Sequence, residues 1–311
     1  MKTKFKMAAG VSGLVLAAAA AAQVGLEPSS KAALKMALVT AAEAAKIKPT
    51  PTPTPVPTPV VVVPVAPAPT PPAPVAPVVV APPPAAPVLA KLAPLDLSDM
   101  WLWHWDGKWM GSEWDNGNSP IPWRYNHISQ PNGGDTYLTL DAGGSPQLQA
   151  LNGTPAYSRG LWEADVTVPK LRDGVVVAPL WLYDPASRDE IDFEFPGRGG
   201  IDVTMHAYVN GVHQQIATRL YDGQDLSGQR HRFGIKVDEA AGYVEMYIDG
   251  KLVKRWDRKD MTFFVSHPVK PLIEMWAGTS YFSQWAGRFG GFGAGESMTM
   301  TVHGYGYTAI P

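Results

Sequence analysis

Residues Glu190-Ile191-Asp192-Phe193-Glu194-Phe195 alternate acid and apolar side chains without a break. A β-strand turns successive side chains to opposite faces, so Glu190, Asp192 and Glu194 share one face while Ile191, Phe193 and Phe195 share the other. The apolar face belongs to a core. The acidic face contributes nothing to packing, and its three charges repel one another.

The same alternation recurs on both sides of this segment. Strands are expected at Thr136 to Leu140, Leu161 to Val168, Val175 to Tyr183, Asp202 to Tyr208, Arg230 to Val237, Tyr243 to Ile248, Leu272 to Trp276 and Ser297 to Tyr305. Turn signals separate them: Asn132-Gly133-Gly134, Gly143-Gly144, Asn210-Gly211 and Asp249-Gly250. No window sustains a 3.6-residue apolar period. Many strands, regular turns and no long helix predict an all-β fold, an antiparallel β-sandwich of jelly-roll type.

The sandwich does not extend over the whole chain. Of 311 residues, the stretch between Phe5 and Trp101 contains no Phe, Tyr, Trp or His, whereas all 11 tryptophans lie between Trp101 and Trp285. Without aromatic side chains that stretch is a poor core builder. Lys2, Lys4 and Lys6 precede an apolar run that ends in Ala-x-Ala before Gln23, the pattern of a secretory signal peptide over residues 1–22. Residues 23–48 form an Ala-rich segment. Residues 49–94 form a Pro-rich linker, disordered in the globular sense and biased to extended polyproline II, since proline fixes φ and cannot donate to a ladder. The β-sandwich domain is assigned to residues 95–311. Export to the medium, the periplasm or the cell envelope follows from the leader, and the linker is expected to act as a spacer or surface tether.

The charge is nearly balanced, with 26 Lys plus Arg against 28 Asp plus Glu, which argues against a nucleic-acid partner. Cysteine is absent, excluding disulfides, thiolate zinc sites and cysteine nucleophiles. No cofactor or metal is indicated. Structural calcium stays open, because carboxylates suit that ion, but the acidic strand does not have the spacing of a calcium loop. A monomer is expected.

Three carriers of the acidic face compete: catalysis, a metal, or a solvated surface. For catalysis, Glu190 and Glu194 are four residues apart. Their long side chains, leaning inward, bring the carboxyls to about 5–6 Å, the spacing of a retaining glycoside-cleaving pair. Asp192 between them would keep their titrations apart.

With these residues go further matches: Tyr157 through Glu163, Pro179-Leu180-Trp181-Leu182, Tyr208-Val209-Asn210-Gly211, Tyr247 through Lys251, Trp276-Ala277-Gly278 and Trp285-Ala286-Gly287. Together they make residues 157–305 similar to glycoside hydrolase family 16, jelly-roll enzymes that cut β-glucans, galactans and related polymers. The acidic run resembles the bulge-free signature of lichenases and xyloglucan transglycosylases. The resemblance implies that Glu190 is the nucleophile, Asp192 its assistant and Glu194 the general acid/base. It also implies that Tyr208, Trp276, Trp285 and Glu163 contact donor-side sugars, with Trp181 a further candidate cleft residue.

Departures from the lichenase pattern are informative. His206 and Glu274 stand where lichenases carry asparagine, and Arg188 stands where they carry tryptophan. These three are candidate substrate-binding residues, and they move the expected polymer from strict mixed-linkage glucan toward a decorated or acidic exopolysaccharide. His206 has no metal-ligand partner spaced with it in sequence; His213, His231 and His303 are expected to be ordinary strand or loop residues. A secreted retaining endo-β-glycanase acting on a polysaccharide is therefore expected. Transglycosylation through the same intermediate and a non-catalytic carbohydrate-binding module are the alternatives.

Overall fold

The computed structural model describes residues 89–100 and 106–310. The expected leader, the Ala-rich segment and most of the linker lie outside the described residues, as do Trp101, Trp103 and Trp105.

Among the described residues, fourteen strands, numbered in chain order, form two seven-stranded antiparallel sheets. The first runs β1 (Trp109–Gly111), β4 (Gln147–Ala150), β13 (Lys270–Ala277), β6 (Val175–Tyr183), β7 (Glu190–Pro196), β8 (Ile201–Val209), β9 (Val212–Leu220). The second runs β12 (Lys251–Asp257), β11 (Tyr243–Ile248), β10 (Arg230–Asp238), β5 (Arg159–Thr167), β14 (Ser297–Thr308), β3 (Thr136–Asp141), β2 (Ile128–Ser129). This is the expected sandwich. The inner faces meet in one core, where Phe193 and Phe195 of β7 pack edge-on against Phe233 of β10, with ring centroids 5.3 and 5.7 Å apart.

All nine expected strands are present, within three residues at each end. Five others were not expected: β1, β2, β4, β9 and β12. Four of these are the sheet edges. An edge strand has a neighbour on one side only and often no fully buried face, so its sequence shows weak alternation. β9 (VHQQIATRL) illustrates this, being at most half-buried throughout. The hairpins β8–β9 and β11–β12 turn at Asn210-Gly211 and Asp249-Gly250, where all four residues have positive φ, the geometry for which these pairs are selected.

β6 carries the local feature that sets the site. One extra residue at Ala178–Leu180 shifts its register against both β7 and β13. The bulge accommodates Pro179, which has no N–H to give the ladder. It also changes the phase of the alternation. Val175, Val177, Leu180 and Leu182 pack in the core, while Ala178, Trp181 and Tyr183 belong to a separate cluster on the outer face. β7 stays in unbroken register with β8 from Glu190 to Glu194.

The folded unit begins before residue 95. Ala93 bridges to Tyr305 of β14, and Leu95 and Leu97 are buried in the core. Their apolar side chains, following Pro87 without a charge until Lys91, gave no sign in the sequence of where the linker stops.

Candidate active site

The outer face of the first sheet presents its side chains in rows across the strands. Glu190 is flanked by Tyr183 and His206, Asp192 by Trp181 and Thr204, and Glu194 by Asp202 on β8. On the far side of β6, Leu272 is opposite Trp181, and Glu274 is opposite Ala178 and Gln147. Glu190, Asp192 and Glu194 are all buried, as are His206 and Glu274.

Burial governs the electrostatics of the row. It pushes Glu190, Asp192 and Glu194 well above the ordinary carboxylate range; Asp192 adds to the rise at Glu190, and Asp192 with Asp202 adds to it at Glu194. Three adjacent carboxyls in a low-dielectric site cannot all be ionised, so the row shares protons. That is the state an acid and a nucleophile side by side require. Burial also raises Glu274 to about 7, against the opposing pull of the Gln147 amide and the Trp181 indole.

A cavity of about 810 Å³ opens on this face. Trp114, Trp123, Trp181 and Trp276 line it together with Glu190 and Glu274. The Trp114 indole N–H and the Tyr183 hydroxyl, both lining the cavity, are buried without a hydrogen-bond partner among the described residues. Aromatic walls with a few inward polar atoms suit a pyranose, which offers an apolar C–H face and a rim of hydroxyls.

The other expected site residues fall in different places. Trp276 lines the cavity although nearly fully buried, edge-on to Phe282 and tilted against Trp285. Trp285 donates its indole N–H to Asp202 Oδ2 at 2.6 Å, which places it at the Glu194 end of the row. Tyr208 lies beyond His206 on β8, under the guanidinium of Arg188 at 4.8 Å from its ring centroid. Arg188, expected as a substrate-binding residue, takes a positive φ of 65° just before β7 and sets its guanidinium over Tyr208.

Glu163 is a correction. It sits on β5, between inward-facing Trp162 and Ala164, and points off the outer face of the second sheet toward Arg232. The intervening core separates it from the carboxylate row. The residues that face Glu274 across the first sheet are those of β4: Gln147 donates to Glu274 Oε2, and Gln149 donates to Ser112 Oγ at 2.9 Å. The run Gln147-Leu148-Gln149, alternating after a Gly-Gly turn, was the sequence signal for them.

His206 also differs from expectation. It lies deep in the row, its Nε2 3.1 Å from Asp192 Oδ2 and 3.6 Å from Glu190 Oε1. Their ligand atoms all lie within 4.8 Å of one another, so partners absent from the local sequence are supplied by the neighbouring strand. Each of these atoms already faces another of the three.

The comparisons with known proteins agree with this geometry. The family model for glycosyl hydrolases family 16 matches residues 115–301. The chain therefore belongs to glycosyl hydrolases family 16, and it is a glycoside hydrolase. Among solved structures, it is similar to a β-glucanase of Bacillus licheniformis (TM-score 0.52, 22% identity, covering 65% of this chain and 92% of that one). It is also similar to a β-1,3-1,4-glucanase from a mouse hindgut metagenome (TM-score 0.52, 21% identity, 67% and 96%). The laminarinase catalytic domain of Thermotoga maritima matches at TM-score 0.50 and 19% identity, covering 65% and 92%. At these identities the likeness establishes the shared fold. A search of curated proteins finds no match.

Proposed function

We propose that this chain is an exported, retaining endo-β-glycanase that hydrolyses a β-glucan or a related exopolysaccharide. One observation carries the reading: three buried carboxyls share one face of β7, and the first of them, Glu190, lines a tryptophan-walled cavity. The β-glucan-cleaving names of the similar structures support the substrate class.

In the first step Glu194, held protonated by burial and by the charges of Asp192 and Asp202, gives its proton to the glycosidic oxygen. Glu190 attacks the anomeric carbon as that bond breaks, forming a glycosyl ester and releasing the shortened chain. In the second step Glu194, now ionised, takes a proton from water. The water oxygen displaces Glu190 at the anomeric carbon, so the β-configuration is kept. Asp192 stands between the two, and its charge raises Glu194, which favours the shared proton there and not on the nucleophile. Export is supported by the sequence pattern of residues 1–22.

Reducing-end release from a panel of β-1,3-, β-1,4- and mixed-linkage glucans and of anionic exopolysaccharides, with product anomers followed by NMR, tests the proposal. Early products of β-configuration, lost in Glu190→Gln, are expected. Early α-products, or undiminished activity in Glu190→Gln, would overturn it.

A further inference from the structure

Behind the carboxylate row is a second structure that the two-step reaction does not use. His206 of β8 and His213 of β9 stack with ring centroids 5.3 Å apart and planes inclined by 17°, and His206 Nδ1 lies 3.1 Å from His213 Nε2. His206 is fully enclosed, while His213 is half-buried on the edge strand of the sheet. Neither lines the large cavity. Two neutral imidazoles at this distance share one N–H, so the tautomer of one fixes that of the other.

The surroundings select between the two tautomers. From β7, Glu190 and Asp192 face His206 Nε2; from β8, Tyr208 packs against His213 at 5.2 Å. From β9 the residue opposite His206 is Gln215, which carries no charge. Tyr183 of β6 faces Glu190 from the other side, and Arg188 covers Tyr208. The titratable groups facing Nε2 from β7 are both acidic, at 3.1 and 3.6 Å, and none of these three atoms has another hydrogen-bond partner among the described residues. An N–H at Nε2 is favoured there, which leaves Nδ1 as an acceptor for the N–H of His213.

We propose that His206 and His213 are positioning residues: His213 donates to His206 Nδ1, and the Nε2–H this fixes holds Asp192 and the nucleophile Glu190 ionised within the row. The inference rests on the assignment of Glu190 as nucleophile. Burial lowers both histidines, His213 to about 4, so the pair acts as a neutral chain of donors through the working range rather than as a charge. A donor supplied from β8 and β9 also has a consequence for turnover. Glu190 is open to the cavity, where bound sugar displaces water, but the histidine side is not, so the support for the carboxylate persists while substrate is bound.

The test compares the full chain with His213→Ala and His213→Gln, an amide that can still donate to Nδ1. Loss of the donor weakens support for the anion and raises the nucleophile's pKa. The acid limb of the kcat/KM profile, which needs Glu190 ionised, should then move to higher pH in His213→Ala by about one unit. His213→Gln should restore it, with thermal midpoints of all three alike. A limb that stays in place in a folded His213→Ala protein, or one not restored by glutamine, would overturn the proposal. Ring-nitrogen NMR gives a readout without substrate: His206 should be neutral with its proton on Nε2, and should lose that single tautomer in His213→Ala. A wild-type His206 protonated on Nδ1 sinks the proposal. If no glycan is cleaved but the tautomer is as stated, the substrate reading fails and the histidine geometry stands.

Discussion

Trp285 donates its indole N–H to Asp202, and Asp202 is the strand partner of Glu194. The same carboxylate takes two guanidinium N–H groups from Arg219, and its charge raises Glu194, the residue that must carry a proton. Removing that charge in Asp202→Asn lowers the Glu194 pKa. A general acid must be protonated, so its pKa sets the alkaline limb of kcat/KM, and that limb should move to lower pH by about one unit. An unmoved alkaline limb would show that Asp202 does not act on Glu194.

Trp285→Phe tests the other half of the same relationship. The ring is kept and the N–H removed, leaving Asp202 with Arg219 alone. Turnover should fall roughly 3–10-fold with little change in thermal midpoint, because one charge-assisted hydrogen bond beside the acid is lost. Steady-state kinetics beside a melting curve separate this from a loss of packing.

Glu274 predicts a pH-dependent stability. Its folded pKa, about 7, is above the unfolded value of 4.5. A group raised on folding favours the fold fully below its unfolded pKa, and that contribution is lost as pH rises through the folded one. Chemical denaturation at about pH 5 and about pH 8 should therefore show wild type losing stability relative to Glu274→Gln across that interval, on the order of 3 kcal/mol. A difference between the two proteins that is the same at both pH values would rule out a buried, titrating Glu274.

Gly197, directly after β7, predicts a packing cost. A Cβ built there would come within 2.0 Å of the Arg172 carbonyl oxygen and 2.7 Å of that of Ala286. These are backbone atoms and cannot turn aside. Gly197→Ala should destabilise by about 1–3 kcal/mol. Because this turn anchors the end of the acidic strand, activity at a temperature where the protein remains folded should fall as well. Unchanged melting would mean the loops around residues 172 and 286 yield easily.

The strands and the acidic row were readable in sequence because both rest on a period of two, which any strand with one buried face must show. Glu190, Asp192 and Glu194 could be assigned to one face before any fold was known. The edge strands could not be read, since β9 has little buried face to impose a pattern. Side-chain partners across strands were hidden for a related reason. The carboxylates that face His206 are 14 and 16 residues away in sequence, yet register brings Glu190 opposite it, and Gln147 and Glu274 meet although 127 residues separate them. Glu163 shows the converse: a local match to a family motif gave its strand, but which sheet that strand joins is decided by pairing.

By itself, then, the chain determined that a sandwich is built, which strand carries the acids and on which face they stand, because alternation and turn chemistry are local. Only the tertiary structure decided what surrounds those acids. The bulge at Ala178–Leu180 turned Trp181 toward the cavity, and the β7–β8 register put His206 and Asp202 beside the carboxyls. Burial between those neighbours, a property of the packed sheet and not of any segment, is what raises three ordinary carboxylates into a set that can hold and transfer a proton.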